Sequence, residues 1–388
     1  MNRLSIILKG ILRITLLLFV ITNTVGCNQK RSAQTTDNET KDSNGAIKYA
    51  SGFEIIDYDN YTKVIINNPW DKNSSKSFAT YYLYNEDNSN IPDNGFKIKV
   101  PINSVIVNTF SYFEFLHQLG DLEKVVAVTD AARVYNKSIL EGLKSGKIED
   151  LGDPFNPNIE KTLMLKADAI INSAFVQQDN LSERAQKTGL PVIFSLEWME
   201  ASPLAKAEWI KLIAEFLDKR EEADKIFTDI EKRYKKNLAL VENIENKPFI
   251  LAGDNFQDTW YIPGGKSFNA HFFKDAGANY AYYDNNETGS IGLDIESILT
   301  QFAKADVWIG CESDSYAELE KKDSKYRLLQ PVKNKRVFNN RNRITESGGN
   351  DYFESTIAYP DLILQDLIKA IHPNILSEEP FTYIKPLK

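Results

Sequence analysis

Apolar residues recur at Ala223, Ile226, Phe227, Ile230, Tyr234, Leu238 and Val241, and the positions between them are almost all charged. Steps of three and four are the period of one helix face. The pattern predicts a long amphipathic helix over residues 218–243, with Asp218 and Glu221 in the relation of a capping box and Pro248 limiting the far end. About 25 residues at ~1.5 Å each make a rod of roughly 37 Å. Ser202-Pro203 opens a preceding helix whose apolar stripe is Trp209, Ile210, Ile213, Phe216 and Leu217.

On either side of this rod the chain alternates short apolar runs with helical stretches. Before it, strands are expected at Ser104–Asn108, Lys124–Thr129, Ala169–Asn172 and Val192–Phe194, with helices at Tyr112–Leu119, Lys137–Leu143, Ile159–Lys166 and Leu181–Thr188. After it, strands are expected at Phe249–Ala252, Val307–Ile309 and Arg336–Asn339, with a weaker one at Tyr280–Tyr283. Helices are expected there at Ser267–Ala276, Asp294–Phe302 and Leu362–Ile371. Strands separated by helices of this length imply βα units and mostly parallel sheets. Residues 47–100 differ: four strand-like runs broken by Asn, Asp, Pro and Gly suit antiparallel hairpins.

The expected organisation is therefore an α/β chain of two lobes, each with a mostly parallel sheet, joined by one long rigid helix. Its segments are a signal peptide (1–26), a flexible tether (27–46), a small antiparallel β appendage (47–100) and an N-terminal lobe (101–202). Connecting helices (203–246), a C-terminal lobe (247–375) and an irregular tail (376–388) follow. A chain of 388 residues suits about two domains. The net charge of −8 speaks against a nucleic-acid partner, which calls for a basic face.

The N-terminus carries Arg3, Lys9 and Arg13 around the apolar run Ile14–Ile21, too short to span a bilayer. Thr24-Val25-Gly26-Cys27 then resembles the bacterial lipoprotein processing box, which implies cleavage before Cys27 and its acylation. The alternative is a plain secretory signal with an incidental cysteine. If Cys27 is lipidated, Cys311 has no disulfide partner, and its neighbours Val307–Gly310 read as a buried strand.

Two segments repeat at matching places in the two lobes. Asn158-Ile159-Glu160 leads to Lys166-Ala167-Asp168 and the run Ala169–Ile171; Asp294-Ile295-Glu296 leads to Lys304-Ala305-Asp306 and Val307–Ile309. A capping Asn or Asp with a Glu in the first turn complements the positive helix end on its own account. Two such features at equivalent places suggest a matched pair. With Thr259–Phe268 (TWYIPGGKSF), Gly348–Ser355 (GGNDYFES) and the long helix, these segments make residues 101–372 resemble the substrate-binding proteins of ABC importers for iron–siderophore complexes and vitamin B12. The resemblance implies a cleft between two lobes and no enzymatic activity or cofactor. It also implies an ABC permease as partner, whose arginines would meet Glu160 and Glu296, and a monomer anchored through lipid alone.

A bulky chelate needs flat apolar surface and a few orienting polar groups. Tyr112, Tyr135, Trp198, Trp260 and Tyr352 stand beside predicted strand ends or turns, and Arg133, Arg341 and Arg343 follow strand ends; all eight are candidate ligand contacts. Guanidinium groups suit anionic ferric siderophores, whereas cobalamin would lean on the aromatics. His117, His271 and His372 lack metal-ligand spacing, which argues against direct metal binding. Gly264-Gly265-Lys266-Ser267 ends like a phosphate loop, but Trp260 stands where the first glycine is needed. A surface glycan-binding lipoprotein is the competing reading and predicts a largely β architecture.

Overall fold

A computed structural model describes residues 47–71, 76–86, 90–175 and 180–388. The expected signal peptide, Cys27 and the tether lie outside the described residues. The appendage is a four-stranded sheet, β1 (Phe53–Tyr58), β2 (Tyr61–Ile66), β3 (Ala79–Tyr84) and β4 (Phe96–Lys99), in that order. The first three strands pair antiparallel, but β4 runs parallel to β3, so the sheet is mixed rather than antiparallel. Eleven residues, 85–95, separate β3 from β4, and a parallel neighbour requires a connection longer than a tight hairpin. Tyr81 fixes the sheet to the next lobe: its hydroxyl donates to the Val192 carbonyl (2.8 Å) and accepts from the Phe194 amide (2.9 Å).

The N-terminal lobe holds β5 (Val105–Val107), β6 (Val125–Val128), β7 (Glu149–Asp150), β8 (Ala169–Ser173) and β9 (Val192–Ser195). All are parallel, in the order β7-β6-β5-β8-β9. The central strands β5, β6, β8 and β9 are mostly apolar, as strands covered on both faces are, whereas the edge strand β7 is Glu149-Asp150. β9 is an edge, and the appendage covers it through Tyr81 and Phe78, whose ring meets Phe194 edge-on at 5.0 Å.

The C-terminal lobe contains β10 (Ile250–Ala252), β11 (Asp254–Phe256), β12 (Thr259–Pro263), β13 (Ser290–Leu293), β14 (Val307–Cys311), β15 (Val337–Asn339) and β16 (Lys385–Pro386). β10, β14 and β15 are parallel, and β16 closes that sheet antiparallel, so the tail is not wholly irregular. β11, β12 and β13 form a separate antiparallel sheet that the sequence pattern did not predict. Tyr280–Tyr283, expected as a weak strand, forms a turn instead. Its tyrosines pack on one another, and the Tyr280 hydroxyl donates to the Pro263 carbonyl. Cys311 is buried on β14, and burial pushes its thiol up to about 12.

The repeated segments have a shared structural part and a shared exposed part. The Asp168 carboxylate accepts the amides of Asn103 (2.7 Å) and Ser104 (3.0 Å), just before β5; Asp306 accepts that of Phe249 (2.7 Å), just before β10. Each aspartate thus pins the first strand of its lobe to the turn that feeds the strand beside it. Asn158 and Asp294 cap their helices by accepting from Lys161 (3.0 Å) and Ser297 (2.6 Å), while Glu160 and Glu296 are exposed.

The long helix spans Arg220–Ala239, shorter than expected, so at ~1.5 Å per residue it measures about 30 Å. Asp218 is not its cap. It sits in the left-handed region (φ 58°) and ends the preceding helix, Trp209–Leu217, all of whose residues are buried. At one end Lys219 donates to the Leu119 carbonyl (2.7 Å) and pairs with Asp121 (3.0 Å) of the N-terminal lobe. Toward the other end Arg233 pairs with Asp361 (2.5 Å) and the Tyr234 hydroxyl donates to Asp275 (2.6 Å), both in the C-terminal lobe. The helix is a spine fastened to both halves.

A strap, residues 48–52, lies along the connecting helices. Glu208, fully buried, accepts the amides of Lys48, Tyr49 and Ala50, and Glu200 accepts those of Ser51 and Gly52. The Tyr49 hydroxyl donates to Glu231 on the spine (2.6 Å), and Arg220 clamps Asp57 of β1 together with Glu215. The appendage is thereby joined to the spine.

Candidate functional site

Four parallel strands of the N-terminal lobe and β15 of the C-terminal lobe end on a common cavity of about 610 Å³. Thr109–Ser111 follow β5, Arg133 follows β6, Ser173 ends β8 and Glu197-Trp198 follow β9; from the other lobe, Arg341 follows β15. The carboxyl ends of parallel strands are where open α/β sheets leave a crevice for a ligand. The volume lies within the range of small-molecule sites.

Trp198 is 40% exposed and stands between Phe175, 46% exposed, at 5.8 Å and Trp70 of the appendage at 6.4 Å. Arg133 and Arg341 lie on the rim, each paired at 3.3 Å with a neighbouring aspartate, Asp130 or Asp314. Beneath them Glu197 accepts from Ser195, Ser111 (3.4 Å) and Tyr112 (3.3 Å). Lys206, on the short helix Pro203–Ala207, reaches the cavity with its amine 3.4 Å from the centre of the Phe268 ring.

Of the sequence candidates, Arg133, Trp198 and Arg341 line this cavity. Tyr112 does not: it is fully buried, and its phenol supports Glu197 from below. Burial, and then the Glu197 charge, push that phenol well above its ordinary range. Trp260 is also fully buried. It sits on β12 against Trp308 (4.9 Å) and donates to the Ala252 carbonyl (2.9 Å), so it holds the C-terminal core and offers no face to a ligand. Tyr352 packs edge-on against Phe353 and Tyr383, outside the cavity lining. Phe110, Phe175, Glu197, Lys206 and Phe353 are lining residues that sequence reasoning missed. Position after a strand end was the available signal for Phe110, Phe175 and Glu197; Lys206 and Phe353 carried none.

Tyr135 and Arg343 belong instead to a seam between the lobes. The Tyr135 amide donates to Glu354 (2.7 Å), the Tyr359 hydroxyl donates to Glu114 (2.7 Å), and Arg343 donates to the Tyr135 hydroxyl (3.3 Å) while pairing with Asp351 (3.0 Å). Burial raises the carboxyls of Glu114 and Asp351, and pushes Glu354 up to about 7 from 4.5. An acid whose folded pKa is raised keeps its full stability below the unfolded value and loses it as pH rises through the folded one. Between pH 4.5 and 7 Glu354 therefore costs the folded state about 3 kcal/mol. Glu354→Gln is expected to remove that slope from urea-unfolding free energies measured across this window. Parallel profiles for the two proteins would reject the assignment.

A larger cavity, about 1110 Å³, lies on the other side of Trp198, between the appendage, the turn 196–201 and Lys266–Phe268 of the C-terminal lobe. The smaller one is the cavity on which strand ends of both lobes converge, four from the N-terminal lobe and β15 from the C-terminal lobe. Among the described residues no three His, Cys, Asp or Glu side chains are grouped to hold a metal ion.

Residues 105–343 match the sequence model of a family described as periplasmic binding protein. An uncharacterized lipoprotein of Methanocaldococcus jannaschii is 27% identical over 351 residues, which are 84% of this chain and 82% of that protein. A possible iron-binding periplasmic solute-binding protein of Staphylococcus epidermidis superposes with a TM-score of 0.54 at 20% identity, over 70% of this chain and 99% of its own. The periplasmic vitamin B12 binding protein of Vibrio cholerae gives 0.53 at 15%, over 72% and 99%. At these identities the solved structures share the fold.

Proposed function

This chain belongs to the periplasmic binding protein family, and on that premise we propose that it captures an iron–siderophore or cobalamin-type chelate and delivers it to an ABC import permease. The family is one of substrate-binding transport proteins rather than enzymes, so affinity and docking are the whole of the task. The observation that carries the ligand class is the inter-lobe cavity, with exposed Trp198 and Phe175 below a rim bearing Arg133 and Arg341. Planar aromatic surface beside guanidinium groups suits a large chelate with polar or anionic edges. The solved relatives described as a vitamin B12 binding protein and as a possible iron-binding protein support the same class. An extracytoplasmic place, with Cys27 as lipid anchor, completes the reading, and a relative carries the name lipoprotein. The chain is taken to act as a monomer.

A thermal-shift series with ferric siderophores, haem, cobalamins and oligosaccharides tests it. A ligand held at a hundred times its Kd adds about 2.7 kcal/mol to stability, a rise of several degrees in Tm. The bound chelate is expected to quench tryptophan fluorescence, and Trp198→Ala to weaken both quenching and affinity, the latter about tenfold. A response to oligosaccharides alone would reject the proposal; unchanged quenching in Trp198→Ala would remove that residue from the site.

A further inference from the structure

Of the two buried lysines in the connecting helices, Lys206 and Lys211, only Lys211 has an ion-pair partner among the described residues, and the half-buried Arg220 beside them is paired as well. Lys211 meets Glu208 and Asp224 at 3.2 Å, and Arg220 is held by Asp57 and Glu215. Lys206 is only 6% exposed, yet among the described residues no carboxylate lies within ion-pair distance of its amine. The two acidic residues that act on it through space are committed elsewhere. Glu197 takes hydrogen bonds from Ser111, Tyr112 and Ser195, and Glu200 takes them from Ser51, Gly52 and the Trp209 indole. The Phe268 ring covers one side of the ammonium, and the inter-lobe cavity lies beside it.

A buried charge is ordinarily paired, and a ring face neutralises it only in part. We propose that Lys206 is the specificity-determining residue of the cleft, completing its pairing with an anionic group of the ligand and so selecting negatively charged chelates over uncharged ones. This rests on the cleft being the ligand site proposed above. Burial lowers the Lys206 amine to about 8, which leaves it mostly charged at neutral pH. The rim arginines are weaker candidates for this selection, because Arg133 and Arg341 already have carboxylate partners and more solvent. An anionic edge directed to the floor would meet Lys206, while Trp198 and Phe175 pack the apolar body of the ligand.

The test uses two ferric complexes of similar bulk: a hexadentate tris-catecholate, which carries three negative charges, and a hexadentate tris-hydroxamate with no net charge at the metal centre. Binding is measured by fluorescence quenching for the wild-type protein, Lys206→Met and Lys206→Arg, with Tm recorded for each. Lys206→Met keeps the aliphatic stem and its packing on Phe268. It is expected to lose at least tenfold in affinity for the tris-catecholate and less than twofold for the tris-hydroxamate. Lys206→Arg is expected to retain the preference for the anion. Equal losses for both complexes in Lys206→Met, or no loss for either, would overturn the proposal while leaving the cleft as ligand site. A wild-type protein that takes up neither complex would overturn both.

Discussion

Ile230→Pro is expected to lower the melting temperature by about 10 °C or more and to abolish ligand binding at 37 °C. Ile230 is buried at the middle of the spine helix Arg220–Ala239. Proline removes the N–H hydrogen bond to the carbonyl one turn earlier and its ring collides with that carbonyl, at a cost of about 3 kcal/mol or more. Losing the buried isoleucine side chain adds about 2–5 kcal/mol. At roughly 2 °C per kcal/mol for a chain of this size, the sum gives the stated shift. The loss reaches the site because the helix is tied to Asp121 of one lobe and to Asp361 and Asp275 of the other. A kink would change the angle between the strand ends that share the cavity. Calorimetry with a binding assay checks this. A variant melting within about 2 °C of the parent, with normal affinity, would show that this helix is not what holds the lobes in register.

Reversing both Glu160 and Glu296 to Lys is expected to cut uptake about tenfold or more while leaving fold and ligand affinity intact. Both carboxylates are exposed at the start of helices that lead into β8 and β14. The structural work of the repeat falls to Asp168 and Asp306, so the glutamates carry no part of the strand attachment. Glu296 pairs with Lys325 at 3.0 Å, and that exposed contact lowers its carboxyl and is open to exchange for an arginine of a docking partner. Around Glu160, Phe155 and Met164 are both almost four-fifths exposed and offer apolar contact beside the charge. Uptake into proteoliposomes carrying the permease, beside ligand affinity in solution, separates the two roles. Lost affinity with normal delivery would assign the glutamates to capture instead.

The parallel layers were legible because their strands are short apolar runs bounded by helical periods, and β8, β9 and β10 fall within a residue or two of the expected runs. The sheet β11–β13 was not, since Trp260 and Tyr261 lie among Asp, Pro and Gly and alternate for too few residues to separate a strand from a loop. Aromatic candidates divided in a way composition cannot foresee. Trp198 and Trp260 both follow a polar residue in turn-like surroundings, yet one is exposed and the other is a strand residue buried against Trp308. Lys206 escaped notice because a lysine on an amphipathic helix ordinarily faces water. Only the packing of Phe268 from the other lobe reveals that it does not. Asp218 looked like a cap because its spacing to Glu221 is right, and the left-handed turn it makes leaves no such pattern in the sequence.

The strap at residues 48–52 bears on the order in which the chain can assemble. Its amides find their acceptors in Glu200 and Glu208, and Lys48 finds Glu231, at separations of 148 to 183 residues. Contacts so distant along the chain form late, after loop closure has been offset by nearer ones. Residues 48–52 therefore stay without these partners until the middle of the protein has been made. Assembly of the β1–β4 sheet onto the body then joins the segment from Lys48 to Asp57 to the centre of the chain, through contacts between residues far apart along the sequence.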